Sequence, residues 1–257
     1  MSDTSPFDPV GHESLAEAVV EQIETMIVDG ILKEGRKLPS ERELAEALGV
    51  SRPKLREALQ ILESEGLVNV RHGEGTFIAT LTGRAMSPAL LALYARHGRA
   101  FYDYLEYRRE QEAFACRLAA ARATQSDKER LMEIIGEMNK AFDENDSEAS
   151  QEADLKLHAA VVDASQNTTL IHMMASVYDL TRQGVFYNRA FLRTMDGTGK
   201  KLLAQHREIV DAIVACDPDR ADAAARNHMD FVETSFRLGQ EQRDREDRAA
   251  KRRKLSM

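Results

Sequence analysis

The spacing of apolar residues divides the chain into two unlike parts. Up to about Ala79, short helical periods alternate with turns and end in a hairpin pattern; beyond it long helical periods dominate and no strand pattern recurs. Leu15, Val19, Ile23, Met26 and Ile27 mark the apolar face of a first helix, which Gly30 closes. Ser40 and Glu43 have the spacing of a capping box, in which each side chain satisfies an amide at a helix start. The second helix is expected to bury Leu44, Ala47 and Leu48 and to stop at Gly49. A third begins almost at once, with Ser51 as N-cap and Pro53 in a first turn, where amides have no intrahelical acceptor to lose. Two β-prone runs around the Gly-rich turn at Gly73-Glu74-Gly75 then predict a hairpin over 67–78.

Two helices joined by so short a turn and followed by a hairpin form a winged helix-turn-helix, whose second helix enters the DNA major groove by its N-terminal end. Here that end carries Arg52, Lys54 and Arg56 within one and a half turns, on a helix start that already attracts phosphate. The expected fold is mainly α: an N-terminal winged helix-turn-helix over 10–79, a linker over 80–88, a C-terminal all-α antiparallel helix bundle over 89–238 and a charged tail over 239–257. One such module reads few base pairs, so a homodimer on a pseudo-palindromic double-stranded DNA operator is expected.

The net charge of −8 argues against indiscriminate nucleic-acid binding, and residues 1–80 are themselves acidic, so DNA contact must be concentrated on a few side chains. The sequence has no basic-then-apolar leader and no apolar run near the ~20 residues of a membrane span, which predicts a cytoplasmic protein with no membrane partner. Cys116 and Cys216, far from any CxxC, read as reduced buried thiols. The basic run Lys251-Arg252-Arg253-Lys254 reads as a frayed, solvated helix end rather than a DNA contact.

The second part places charge where apolar side chains belong. Around Phe101 to Thr124, Phe101, Leu105, Ala115 and Ala119 form a buried stripe, and Arg108 and Glu112 fall inside it. A buried guanidinium needs a carboxylate; Glu112 one turn away supplies one, and a bound anion is the alternative. Asp154 and His158 are i, i+4 neighbours on a face with Leu157 and Val161. His206 lies on the stripe of Leu202, Leu203, Ile209, Val210 and Ile213, and His228 on that of Ala221, Ala224, Ala225 and Val232. His172 shares its face with Thr168, Thr169 and Asp179, as a solvated histidine does, while His12 lies in the N-terminus and His97 beside Gly98. Inward histidines are either hydrogen-bonded core residues or ligands. A set of three with one Asp suits zinc or another divalent ion held between facing helices.

The motifs Leu38-Pro-Ser-Glu-Arg-Glu-Leu-Ala45, Gly49-Val-Ser-Arg-Pro53, Leu55-Arg-Glu-Ala-Leu59, Glu65-Gly-Leu-Val68 and Gly73-Glu-Gly-Thr-Phe77 resemble those of the GntR superfamily of bacterial transcription regulators. The resemblance implies DNA contacts from Arg42, Ser51, Arg52, Lys54, Arg56, His72 and Gly73. Many members have Thr where this chain has Lys54, which implies an added phosphate contact here. Glu106-Tyr-Arg-Arg-Glu-Gln-Glu112, Asp154-x-x-x-His158, Asn167, His206 and His228 resemble the FCD sensor domain of the FadR-type branch over about 90–237. In the metal-binding subset, the matching positions Asp154, His158, His206 and His228 coordinate a divalent ion, which here implies zinc, with nickel and manganese as alternatives. A small carboxylate effector then occupies open coordination positions, with Arg108 to neutralise it. Fatty-acyl-responsive relatives lack this set, so a long-chain ligand is not expected.

Three readings follow: a regulator controlled by a small organic acid of the lactate, pyruvate or sugar-acid kind, a direct metal sensor, and a metalloenzyme fused to a DNA-binding domain. The last is disfavoured, because no HExxH-like base placement occurs and Glu208 points away from His206 around its helix.

Overall fold

The computed structural model describes residues 14–81, 98–182 and 197–255. The chain divides into two compact units, at residues 83 and 84. The predicted linker over 80–88 falls largely outside the described residues, as do His12 and His97.

In the first unit α1 (Leu15–Val28), α2 (Glu41–Leu48) and α3 (Arg52–Ser64) pack around Val19, Ile23, Ile27, Leu55, Leu59 and Leu62. Both α1 and α2 start at capping boxes, Ser14 with Glu17 and Ser40 with Glu43. Gly49 at φ 65 lets α2 stop and α3 begin three residues later, since only glycine takes a left-handed backbone without cost. Ser51 is the N-cap of α3, but its hydroxyl makes no cap hydrogen bond.

Two details of the predicted core are corrected. Ala45 rather than Ala47 is buried, because α2 turns the side carrying Leu44, Leu48 and Ala45 inward, and Ala47 lies beyond its opposite edge. Leu15 is exposed although it keeps the phase of Val19. Helical side chains lean toward the N-terminus, so the first one projects past the core.

The wing is an antiparallel pair, β1 (Val68–Arg71) and β2 (Gly75–Ile78), in register from Val68 opposite Ile78 to Arg71 opposite Gly75. Its other edge is covered by the segment before α2. Leu38 N donates to Thr76 O at 2.9 Å, and Ile78 N to Arg36 O at 2.9 Å. Leu81, inside the predicted linker, donates its amide to Glu34 Oε1 at 2.9 Å and so remains tied to this unit.

The described part of the second unit is all helical: α4 (Gly98–Arg122), α5 (Gln125–Asp143), α6 (Ser147–Ala164), α7 (Thr168–Arg182), α8 (Thr198–Val214) and α9 (Pro218–Leu255). Helix α4 packs against α6, α8 and α9, and α5 against α6 and α8. Connections of two or three residues join α4 to α5, α5 to α6, α6 to α7 and α8 to α9, and the pairs α5–α6, α6–α7 and α8–α9 pack against each other. The core includes Leu105, Ala115, Ala119, Leu131, Ile134, Leu157, Met174, Ile213 and Met229.

The tail, expected as a solvated helix end, is helical to Leu255 with its last described turns exposed. Its exposed turns carry i, i+4 pairs that support a solvated helix: Gln240 with Asp244 at 2.9 Å, Gln242 with Glu246 at 3.1 Å and Arg245 with Glu241 at 3.4 Å. Among the described residues, no helix is long and apolar enough to cross a membrane. Cys116 is buried as expected, whereas Cys216 is exposed because it sits in the α8–α9 turn at φ 55.

Candidate DNA-binding face and histidine cluster

The candidate DNA contacts of the first unit lie on α2, on α3 with its N-cap, and on the wing. Arg52 is the first residue of α3, with Pro53 and Lys54 completing the opening turn and Arg56 one turn on. Arg42 stands on the first turn of α2; His72 and Gly73 form the tip of the wing, where Gly73 adopts φ 77. All of these are exposed except Lys54, which is half-buried. Each cation on the helices has an acidic neighbour: Arg42 with Glu46 at 3.6 Å, Lys54 with Glu57 at 2.8 Å, and Arg56 and Arg52 with Glu41 at 2.8 and 3.5 Å.

In the second unit His158 on α6, His206 on α8 and His228 on α9 converge, with one ring nitrogen from each within 4.8 Å of the others. The rings of His206 and His228 lie 4.3 Å apart, centroid to centroid. Asp154, one turn before His158, places Oδ1 3.3 Å from His206 Nε2 and Oδ2 3.5 Å from His158 Nε2. All four are buried. His172 is half-buried on α7, outside this cluster.

Arg108, 1% exposed, donates through Nε to Glu112 Oε1 at 2.8 Å, with a second contact from Nη2. The other Glu112 oxygen, Oε2, lies 2.9 Å from His158 Nδ1, so this carboxylate joins the guanidinium to the histidine cluster. Burial alone would raise the Glu112 pKa, but the charge of Arg108 and the hydrogen bond with His158 outweigh it and hold the carboxyl well below the usual range. Tyr104 and Tyr178 flank the guanidinium, with ring centroids 5.8 and 5.7 Å from Arg108 Cζ. Burial pushes the Tyr178 phenol well up, and the charge of Glu112 adds to this. Glu112, His158, Tyr178 and His206 border a cavity of about 10 Å³, space for roughly one water.

Sequence reasoning missed four partners, one of them Tyr178, which α7 brings to Arg108 from another helix. The Glu112–His158 contact and the approach of Gln205 Oε1 to His228 Nδ1, at 3.3 Å, join different helices and leave no trace in local spacing. Tyr104 did leave one, since it lies four residues before Arg108 and so shares its face.

A helix-turn-helix with a basic helix start and a wing, joined to an all-helical domain, defines a DNA-binding transcription regulator. Residues 15–78 match the bacterial regulatory proteins of the gntR family and residues 103–231 match the FCD domain, and the chain belongs to the GntR family, in its FadR-type branch. It is 34% identical over 238 residues to a protein of Escherichia coli (strain K12) whose name makes it an L-lactate dehydrogenase operon regulatory protein, with 91% of each chain covered. It is 35% identical over 209 residues to the HTH-type transcriptional regulator LutR of Bacillus subtilis (strain 168), covering 81% of this chain and 94% of that one. Among solved structures, a GntR protein of Streptococcus agalactiae aligns over 86% of this chain and 99% of its own, at 26% identity and a TM-score of 0.54. These relatives are transcription regulators, and so is this chain.

Proposed function

We propose that a small carboxylate, bound beside a divalent metal ion in the FCD domain, sets the affinity of this regulator for its operator. The observation that carries the reading is the convergence of His158, His206 and His228, from three helices, around the Asp154 carboxylate inside a buried core. Three imidazoles and a carboxylate suit zinc, nickel or manganese. The contacts of Glu112 and Gln205 at Nδ1 of His158 and His228 support the fit, because an outer partner on one ring nitrogen turns the other toward an ion. An ion accepting five or six ligands would supply Lewis-acid positions to an oxyanion.

Arg108 would meet the acid. Its guanidinium already holds a carboxylate, that of Glu112, so an incoming acid exchanges one carboxylate for another rather than meeting a bare charge. The cavity beside Glu112 and the histidines has room for about one water, so an acid of lactate size requires side chains there to move. The name of the Escherichia coli relative makes L-lactate the first acid to test.

On the DNA side, Arg42, Ser51, Arg52, Lys54, Arg56, His72 and Gly73 are the proposed contacts, made by a homodimer to a pseudo-palindromic operator in the cytoplasm, where that DNA is. The Ser51 hydroxyl, not used in capping, suits a phosphate contact. The size of the cavity favours a second reading, in which the ion itself is the signal.

Elemental analysis tests the metal. One equivalent per chain is expected in the native protein, and stoichiometric metal persisting in the His206→Ala, His228→Ala double variant would show these to be core histidines. Titrating metal with and without L-lactate then separates the two signals: the acid reading requires a response to acid at saturating metal.

A further inference from the structure

The DNA-binding face carries a residue outside the expected contacts that touches two of them. Glu41 opens α2, and its Oε2 accepts from Arg56 Nε at 2.8 Å and lies 3.5 Å from Arg52 Nη2. The cap of α2 does not use this carboxylate, since Ser40 and Glu43 form the capping box. The other acidic neighbours differ from it. Glu46 and Glu57 sit three or four residues from their cations on the same helix, whereas Glu41 reaches across from α2 to α3 and gathers two arginines on one oxygen. Its side chain is also more covered, at 37% exposure against 78% for Glu46 and 48% for Glu57.

We propose that Glu41 is a specificity-determining residue of the recognition helix: it holds Arg56 and Arg52 for base reading and withholds them from phosphate. This rests on the reading of those arginines as DNA contacts. A guanidinium has two edges that can each donate a pair of hydrogen bonds. Glu41 takes Arg56 at Nε, which leaves the Nη1–Nη2 edge to meet guanine O6 and N7 without breaking the Glu41 contact. A phosphate gains less from the same arginines, because the neighbouring carboxylate repels it and offsets their charge. On the operator the carboxylate therefore orients the reading groups; on other DNA it subtracts from the attraction. This gives an acidic domain discrimination through low background affinity rather than through added contacts.

The test compares full-length native protein with the Glu41→Gln variant, on an operator selected from a random DNA pool and on random-sequence duplex, across a salt series. Each exposed pair is worth a factor of about 1.4 to 5, so losing both with Glu41→Gln should tighten random-sequence binding by roughly two- to 25-fold. It should also steepen the salt dependence by about one phosphate contact. Operator binding should tighten less or weaken, so that the operator-to-random ratio falls. Glu57→Gln, which frees a charge without orienting a reading arginine, should shift both DNAs alike. Glu41→Asp keeps the charge at the start of α2 but shortens the reach, and should also lower the ratio, which separates the arginine contact from any effect on the helix. Equal shifts on both DNAs with Glu41→Gln, or a ratio preserved by Glu41→Asp, would overturn the proposal. Arg56→Ala distinguishes the two layers: if it leaves operator binding intact, the reading of the contact residues fails; if it weakens operator binding while Glu41→Gln preserves the ratio, only the role of Glu41 fails.

Discussion

Replacing Glu112 by Ala removes the carboxylate that Arg108 and His158 share, deep in the helical domain. Both ends of the Arg108–Glu112 pair are almost fully buried, so solvent screens neither charge. Breaking a buried pair from one side costs about 3–5 kcal/mol, because the remaining charge keeps its desolvation cost and loses its compensation. For a unit of this size each kcal/mol lowers the melting temperature by about 2–4 °C, so the helical domain should lose about 6–20 °C. Calorimetry on chelator-treated protein is the assay, since metal binding would otherwise stabilise the same domain by mass action. The winged domain has its own core, and its transition should stay in place. The truncation also opens space beside Arg108, so millimolar acetate should restore part of the lost stability to Glu112→Ala while chloride at equal ionic strength should not. A loss below about 2 °C, or recovery that does not distinguish acetate from chloride, would refute the claim that Arg108 requires a carboxylate there.

Three further outcomes are expected. Arg52→Ala and Arg56→Ala should each cost about 1–3 kcal/mol of operator binding and relax base preference, whereas Lys54→Ala should weaken all sequences alike and flatten the salt dependence; unchanged gel-shift titrations would remove the residue from the interface. Arg108→Ala should keep its metal by elemental analysis yet lose the thermal shift that L-lactate gives the native protein, and a preserved shift would place the acid elsewhere. Maleimide should label native protein once, at exposed Cys216, because burial and then the charge of Glu112 push the Cys116 thiol well up; two adducts before unfolding, read by mass spectrometry, would contradict the buried position.

What the sequence revealed, and what it hid, divides along local and non-local physics. The helix-turn-helix was legible because its signals act within a few residues: the Ser40–Glu43 box, Gly49, and Pro53 in the first turn of α3. The inward histidines were legible because periodicity assigns a face, and a polar side chain on an apolar face stands out. Periodicity does not say which helix that face meets. The Glu112–His158 contact, the bridge from Glu41 to the arginines of α3, and the pairing of the Arg36–Leu38 segment with β2 all join residues brought together only by packing. The error at Ala47 has the same origin: three or four apolar residues define a helix face to within about a quarter turn, and the neighbouring helix decides the rest.

Control of operator binding by a small acid through the histidine cluster makes the effect of the acid depend on the metal. It is tested most directly by the fluorescence anisotropy of labelled operator DNA, titrated with full-length protein that has been stripped by chelator or reloaded with one equivalent of zinc, each with and without L-lactate. L-lactate should shift operator affinity at least severalfold in the reloaded protein, and the shift should disappear in the stripped protein and in His206→Ala. An equal shift with and without metal, or none with any small carboxylate on reloaded protein, would contradict it.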